Sequence, residues 1–128
     1  MLVGMISTLR EGHWLSDYTI RLIEELDDNR GVFVRPLVDV CEYVDKNEHI
    51  FDGAWENIEQ MSQSCDFLHL QWLDGLYTDE FIDRLVALDK PLVATLHDSL
   101  IPLRLAKKAA GALVTSDMVA HDCGIEYI

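Results

Sequence analysis

Short apolar runs alternate with amphipathic helical patterns along the chain. The runs at residues 2–6, 67–72 and 92–96 lack a helical period and have the length of buried strands. The clearest helical pattern extends from Leu15 to Leu26, with its stripe at positions i, i+3, i+4, i+7, i+8 and i+11. Strands that alternate with helices are joined by right-handed crossovers into a parallel sheet. The sequence therefore predicts an α/β fold, a doubly wound, mostly parallel sheet with helices on both faces.

The other elements follow from weaker signals. Residues 32–38 are predicted to form a strand that either lies near an edge of the sheet or is distorted at Pro36, because Pro36 removes one backbone donor. Thr78 is a predicted N-cap, and Pro102 is predicted to start a short helix that Gly111 closes. Further strands are expected at residues 112–115 and 126–128, with helices at 55–61 and 116–124. We expect about six strands in one domain that spans residues 1–128.

The composition limits the classes of function. Hydrophobic residues make up 49% of the 128 residues and charged residues 26%, which is typical of one globular domain. The net charge of −13, with only ten Lys and Arg, argues against a nucleic-acid partner, because binding to phosphates depends on clustered cations. Three cysteines without a C-x-x-C pair argue against a disulfide scaffold or a zinc site and predict a cytoplasmic protein. The first apolar run is far shorter than the roughly 20 residues of a membrane span, so no transmembrane segment is expected.

Polar side chains follow the predicted strands at their carboxyl ends, where open parallel sheets bind their ligands. The apolar run at residues 92–96 ends abruptly on His97 and Asp98, two groups that are costly to bury. A position at the carboxyl edge of the sheet explains them, because the strand emerges there into a crevice. The other polar residues expected at this edge are Ser7, Thr8, Arg10, Gln71, Trp72, Thr115 and Ser116.

Common ligand motifs of α/β folds are absent from the sequence. The first strand-to-helix turn, STLREGHW, contains one glycine, Gly12, and matches neither G-x-G-x-x-G nor the P-loop pattern. No G-x-S-x-G elbow occurs, which argues against a serine hydrolase. His13, His69 and His97 contain no i, i+4 pair, so we expect no metal site.

Four stretches carry a resemblance to a known family: STLREGHWLSDYTIRLIEEL, CDFLHLQW, KPLVATLHD and AAGALVTSDMVAHDCGI. Their order and spacing resemble the N-terminal, acceptor-side domain of retaining GT-B glycosyltransferases of the glycosyl transferase group 1, family 4-like type. The resemblance implies transfer of a sugar from a nucleotide-diphosphate sugar to a hydroxyl acceptor. It also implies that a second domain binds most of the donor. Because the sequence ends before such a domain, we expect these residues to be inactive alone and to need a donor domain or a partner chain.

The resemblance assigns roles to residues at the carboxyl edge. His97 is expected to hydrogen-bond a sugar hydroxyl in the catalytic cleft, with Asp98 orienting it. The alternative is a polar strand end in which Asp98 serves as a cap or turn residue. Gln71 is expected to hydrogen-bond hydroxyl groups of the ligand, and Trp72 is expected to stack on a sugar. The alternative for Trp72 is that it only covers the edge of the sheet.

Four further residues complete the predicted substrate-binding set: Ser7, Arg10, Gly12 and Ser116. Arg10 either meets a phosphate or is simply solvated. In the family, adjacent glycines let this loop approach the donor phosphates, and only Gly12 stands there in this chain. No cofactor is expected beyond the nucleotide sugar, which is a co-substrate.

One alternative function and one expectation about assembly concern the whole chain. One is a non-catalytic binding or interaction module of the same fold, because fold alone does not fix function. The other concerns assembly: an unfinished edge strand at residues 125–128 predicts self-association.

Overall fold

The computed structural model describes residues 1–7, 14–26, 31–36, 55, 58–60, 62–98, 100–109 and 111–114. The strands in this part of the chain are β1 (Leu2–Ile6), β2 (Phe33–Pro36), β3 (Phe67–Trp72), β4 (Leu92–Leu96) and β5 (Gly111–Val114). Its helices are α1 (Trp14–Leu26), α2 (Asp79–Ala87) and α3 (Leu103–Lys108), and Trp55, residues 58–60 and Ser62 are also helical.

The five described strands form one sheet in the order β2-β1-β3-β4-β5, and every neighbouring pair is parallel. The predicted α/β class with a parallel sheet is therefore confirmed. The predicted number of about six strands is not reached in the described part of the chain, which contains five. The expected sixth strand at 126–128 and the helix at 116–124 lie outside the described residues.

One face of the sheet is apolar and is covered by α2 and α3. Alternate residues of a strand point to opposite faces, and Leu68, Leu70 and Trp72 of β3 all belong to the main hydrophobic cluster. Phe81 and Leu85 of α2 join this cluster, as does Leu105 of α3. Each such side chain, fully buried, contributes roughly 1.5–3 kcal/mol to folding. The main hydrophobic cluster of the described residues therefore lies on this side of the sheet.

The other face of the same strands carries a layer of buried hydrogen-bonding groups, and we call it the polar face. His69 and Gln71 of β3 lie on this face, with Thr95 of β4, and all three are buried. Thr19 of α1 is fully buried and hydrogen-bonds Ser7, which directly follows β1. The buried polar groups of this face lie beside apolar ones, among them Val3 and Met5 of β1.

Local signals placed most element ends correctly. Thr78 caps α2 as predicted, because its Oγ1 accepts a hydrogen bond from the Phe81 amide at 3.1 Å. Strand β2 is the terminal strand of the described sheet, as Pro36 predicted. The interpretation of Gly111 was wrong: α3 ends at Lys108, Ala109 is its extended C-cap, and Gly111 begins β5.

Within the described ranges, no helix is both long enough and apolar enough to cross a bilayer.

Candidate functional site at the carboxyl edge

Three of the predicted site residues meet at one end of the sheet. The register pairs Ile6 of β1 with Leu70 of β3, and Gln71 with Thr95 of β4. The residues next in line, Ser7 after β1 and His97 after β4, therefore lie at the same edge as Gln71. The His97 amide donates to the Trp72 carbonyl at 3.1 Å, which continues the pairing of β3 and β4 to this edge.

Four side chains from β3 and β4 form a hydrogen-bonded row across the polar face, which we call the polar row. Its members are Thr95, His69, Gln71 and His97. Thr95 Oγ1 lies 2.6 Å from His69 Nε2, and Gln71 Nε2 lies 3.5 Å from the same His69 nitrogen. Gln71 Oε1 lies 2.8 Å from His97 Nε2. The row runs from the buried centre of the sheet to the half-buried His97.

The backbone at Gln71 is held in place. The Tyr77 hydroxyl donates to the Gln71 carbonyl at 2.7 Å, and the Gln71 amide group also donates to Met5 Sδ at 3.4 Å. The Gln71 side chain is 0% exposed. It therefore has a fixed position from which to hold His97.

Two aromatic side chains of α1, Trp14 and Tyr18, flank His97, and we call them the aromatic pair. Their ring centroids lie 5.4 Å and 4.7 Å from that of His97, in edge-on arrangements with interplanar angles of 75° and 84°. Trp14 is 53% exposed and Tyr18 39%. The imidazole is thus bordered by aromatic surface that solvent can reach.

Sequence reasoning missed the aromatic pair as part of the site. It treated Trp14 as a loop residue and Tyr18 as part of the buried stripe of the helix. The available signal was their i, i+4 spacing, which places two residues side by side on one face of a helix. Because α1 follows β1, that face reaches the carboxyl edge of the sheet.

Both histidines of the polar row favour the neutral form. Burial lowers the pKa of His69 from its ordinary 6.5 to about 4, and a positive charge on His97 would lower it further. Burial also lowers the pKa of His97. At neutral pH the row therefore carries hydrogen-bonding groups and no net charge.

The remaining predicted residues are placed as follows. Ser7 is buried, and its Oγ lies 2.8 Å from Thr19 Oγ1. Trp72 points to the apolar face, where it stacks on Tyr77 and donates from Nε1 to the Leu100 carbonyl at 2.7 Å.

The position of Trp72 fits its alternative role as a cover of the sheet. Asp98 Oδ1 accepts a hydrogen bond from the Leu100 amide at 3.0 Å, which fits its alternative role as a turn residue. Arg10, Gly12 and Ser116 lie outside the described residues. Of the predicted set, His97 is the residue that the structure brings together with the aromatic pair.

A metal site needs several ligating side chains close together. The described residues contain no group of three or more His, Cys, Asp or Glu side chains arranged to hold a metal ion.

A comparison with models of known protein families found no match to this chain, and a comparison with curated proteins found none either. The resemblance to glycosyltransferases therefore stays a prediction from motifs. The functional argument depends on the geometry around His97.

Proposed function

We propose that this chain is the acceptor-side, Rossmann-like domain of a GT-B-like glycosyltransferase, and that His97 binds a hydroxyl group of the acceptor. One observation carries the proposal: His97 stands half-buried at the carboxyl edge, between an exposed aromatic pair and the buried Gln71. The strand order β2-β1-β3-β4-β5 supports it, because doubly wound sheets bind ligands at this edge.

The chemistry around His97 suits a neutral, hydroxyl-rich ligand. A sugar has apolar C–H patches, which pack against aromatic rings, and hydroxyl groups, which need hydrogen-bonding partners. Trp14 and Tyr18 provide the rings, and the neutral imidazole of His97 provides a hydrogen-bonding atom between them. The net charge of −13 disfavours an anionic ligand.

The proposed contribution to catalysis is positioning. Holding the acceptor hydroxyl close to the donor sugar makes transfer effectively intramolecular, and well-oriented reactions of this kind gain up to roughly 7–11 kcal/mol. The resemblance assigns the nucleotide-diphosphate sugar to a second domain or a partner chain. The prediction of a cytoplasmic location depends on the cysteine pattern alone.

A non-catalytic binding module of the same fold is the second candidate. It is favoured by one observation: Ser7, Gln71 and Trp72 are buried and hydrogen-bonded within the domain. Of the five predicted residues that the structure describes, this leaves His97 and Asp98 to take part in chemistry. Both candidates use the same surface, and they differ in whether transfer occurs when a donor is bound.

Binding of neutral glycosides tests the proposal directly. The ¹⁵N-labelled chain is titrated with a panel of methyl α-glucoside, methyl α-mannoside, N-acetylglucosamine and myo-inositol while the side-chain NMR signals are followed. We expect at least one compound to shift the His97 ring and Trp14 indole signals saturably. A panel that leaves both signals unchanged would contradict the proposal.

A matched pair of aromatic substitutions controls for nonspecific binding. Trp14→Ala removes half of the aromatic pair, whereas Phe33→Ala removes a side chain of similar exposure at the amino end of β2, the opposite edge of the sheet. We expect the first substitution to weaken glycoside binding and the second to leave it unchanged. Equal effects would mean that the sugar binds without using the proposed site.

A further inference from the structure

The contact between Gln71 and Met5 fixes the orientation of the Gln71 amide. A thioether sulfur has no hydrogen to give, so it can only accept a hydrogen bond. Met5 Sδ lies 3.4 Å from Gln71 Nε2, which is the donating end of the amide. The amide oxygen therefore points the other way, toward His97 Nε2 at 2.8 Å.

This orientation determines which nitrogen of His97 carries the proton. An amide oxygen only accepts, so His97 Nε2 must be the donor in this contact. A neutral imidazole has a single N–H, and its other nitrogen then carries a lone pair. His97 is thus held as the Nε2–H tautomer, with Nδ1 as an acceptor that has no partner among the residues the structure describes.

The other end of the polar row is consistent with the same assignment. The Gln71 amide nitrogen donates, so the nearby His69 Nε2 must be an acceptor. The Thr95 hydroxyl, 2.6 Å from the same nitrogen, then donates its proton to it. His69 therefore carries its proton on Nδ1, and the two histidines of one row hold opposite tautomers.

We infer that Gln71 is a positioning residue that fixes the tautomer of His97 and thereby selects ligands whose hydroxyl group donates a hydrogen bond to Nδ1. Because Gln71 is fully buried, it acts through His97 rather than by touching the ligand. A sulfate or an ionised carboxylate has no proton to donate at neutral pH, and the neutral His97 gives it no charge to bind. The identity of the ligand depends on the proposed function, whereas the state of His97 does not.

The tautomers can be read without any ligand. Long-range ¹H–¹⁵N correlation spectra of the imidazole rings at neutral pH distinguish the two tautomers of each histidine. We expect the Nε2–H form for His97 and the Nδ1–H form for His69 in the unmodified chain. A spectrum that shows His97 as the Nδ1–H form overturns the inference, even if no variant folds.

Substitutions then separate positioning from general packing. Gln71→Met keeps a similar volume but removes the oxygen, so we expect His97 to become a mixture of tautomers. Gln71→Glu keeps an acceptor oxygen, and we expect the Nε2–H form to persist with a raised pKa for His97. Thr95→Val is the matched control, because it removes a buried hydrogen bond to His69 and leaves the contact between Gln71 and His97 intact. An unchanged His97 tautomer in Gln71→Met would contradict the inference.

Ligand selection is tested with the panel glycoside that binds most tightly and with inorganic sulfate, which carries no proton at neutral pH, as the anionic probe. We expect Gln71→Met to weaken glycoside binding about three- to tenfold, which is the usual worth of one hydrogen bond. Thr95→Val should weaken it less, and sulfate should not shift the His97 signals of the unmodified chain. Saturable sulfate binding at His97 would overturn the assigned ligand class. A confirmed tautomer without glycoside binding would instead count against the proposed function alone.

Discussion

Gln71 Oε1 and His97 Nε2 lie 2.8 Å apart, and this contact joins a fully buried side chain of β3 to a half-buried one beyond the end of β4. Through it, the chemical state of the carboxyl edge depends on groups that no ligand touches. Thr95 and His69 are hydrogen-bonded behind Gln71. A change at Gln71, which contacts His97 directly, should therefore affect His97 more than a change at Thr95 or His69.

The first prediction concerns pH. The pKa of His69 is about 4 in the folded chain and 6.5 ordinarily, so the unfolded chain binds a proton more readily. The contribution of the neutral His69 to the free energy of unfolding is then fully present above pH 6.5. It is lost as the pH falls toward 4, by at most about 3 kcal/mol. The lowered pKa of His97 acts in the same direction.

Urea unfolding of the unmodified chain and of His69→Gln across this pH range measures the effect. We expect the difference in free energy of unfolding between the two proteins to change with pH in that window. A difference that stays constant would show that His69 is not held neutral by burial.

The second prediction concerns His97→Ala. The change leaves the fully buried Gln71 Oε1 without its partner, and an orphaned buried acceptor costs about 1–3 kcal/mol. We expect thermal and urea unfolding to show a loss of this size. In a background of Gln71→Met the same substitution should cost less, because no acceptor is left to orphan. Equal costs in both backgrounds would contradict the contact.

The third prediction compares two buried serines, Ser16 and Ser7. Ser16 Oγ is buried with no hydrogen-bond partner in the described part of the chain, whereas Ser7 Oγ lies 2.8 Å from Thr19 Oγ1. Ser16→Ala should therefore leave stability unchanged or raise it, because it removes an unsatisfied hydroxyl. Ser7→Ala should lower stability by about 1–3 kcal/mol, since it orphans the fully buried Thr19 hydroxyl. The opposite ranking in urea unfolding would refute this reading of the two contacts.

The fourth prediction concerns transfer itself. If the donor binds mainly outside these 128 residues, the chain alone should form no glycoside from common nucleotide sugars and a panel acceptor. Product detection by mass spectrometry checks this. Turnover by the purified chain would show that both substrates bind within it and would require a different mechanism.

The sequence predicted the strands and the carboxyl edge because these depend on local patterns. Apolar runs of strand length, the Thr78 cap and the abrupt end at His97 are all visible in short windows. The parity of strand residues also shows that Gln71 and Trp72 point to opposite faces, so both cannot line one crevice. That signal was present in the sequence and was not used.

The burial of Ser7 and Gln71 could not be predicted in the same way. It depends on how α1 crosses the sheet, and this is a tertiary property. The amphipathic stripe gives the buried side of α1 but not its position along the strands. For that reason the sequence placed Ser7 and Gln71 in a crevice, whereas the structure places them beneath the helix. The same crossing brings Trp14 and Tyr18 to His97.

The most direct test of the account is the ¹⁵N signal of His97 Nδ1, measured without ligand and with the panel glycoside that binds most tightly. The account predicts that Nδ1 is unprotonated in the free chain. As the glycoside saturates the site, the ¹⁵N signal should shift in the direction expected when an unprotonated nitrogen accepts a hydrogen bond. A protonated Nδ1 in the free chain, or a signal that stays unchanged at saturation, would contradict it.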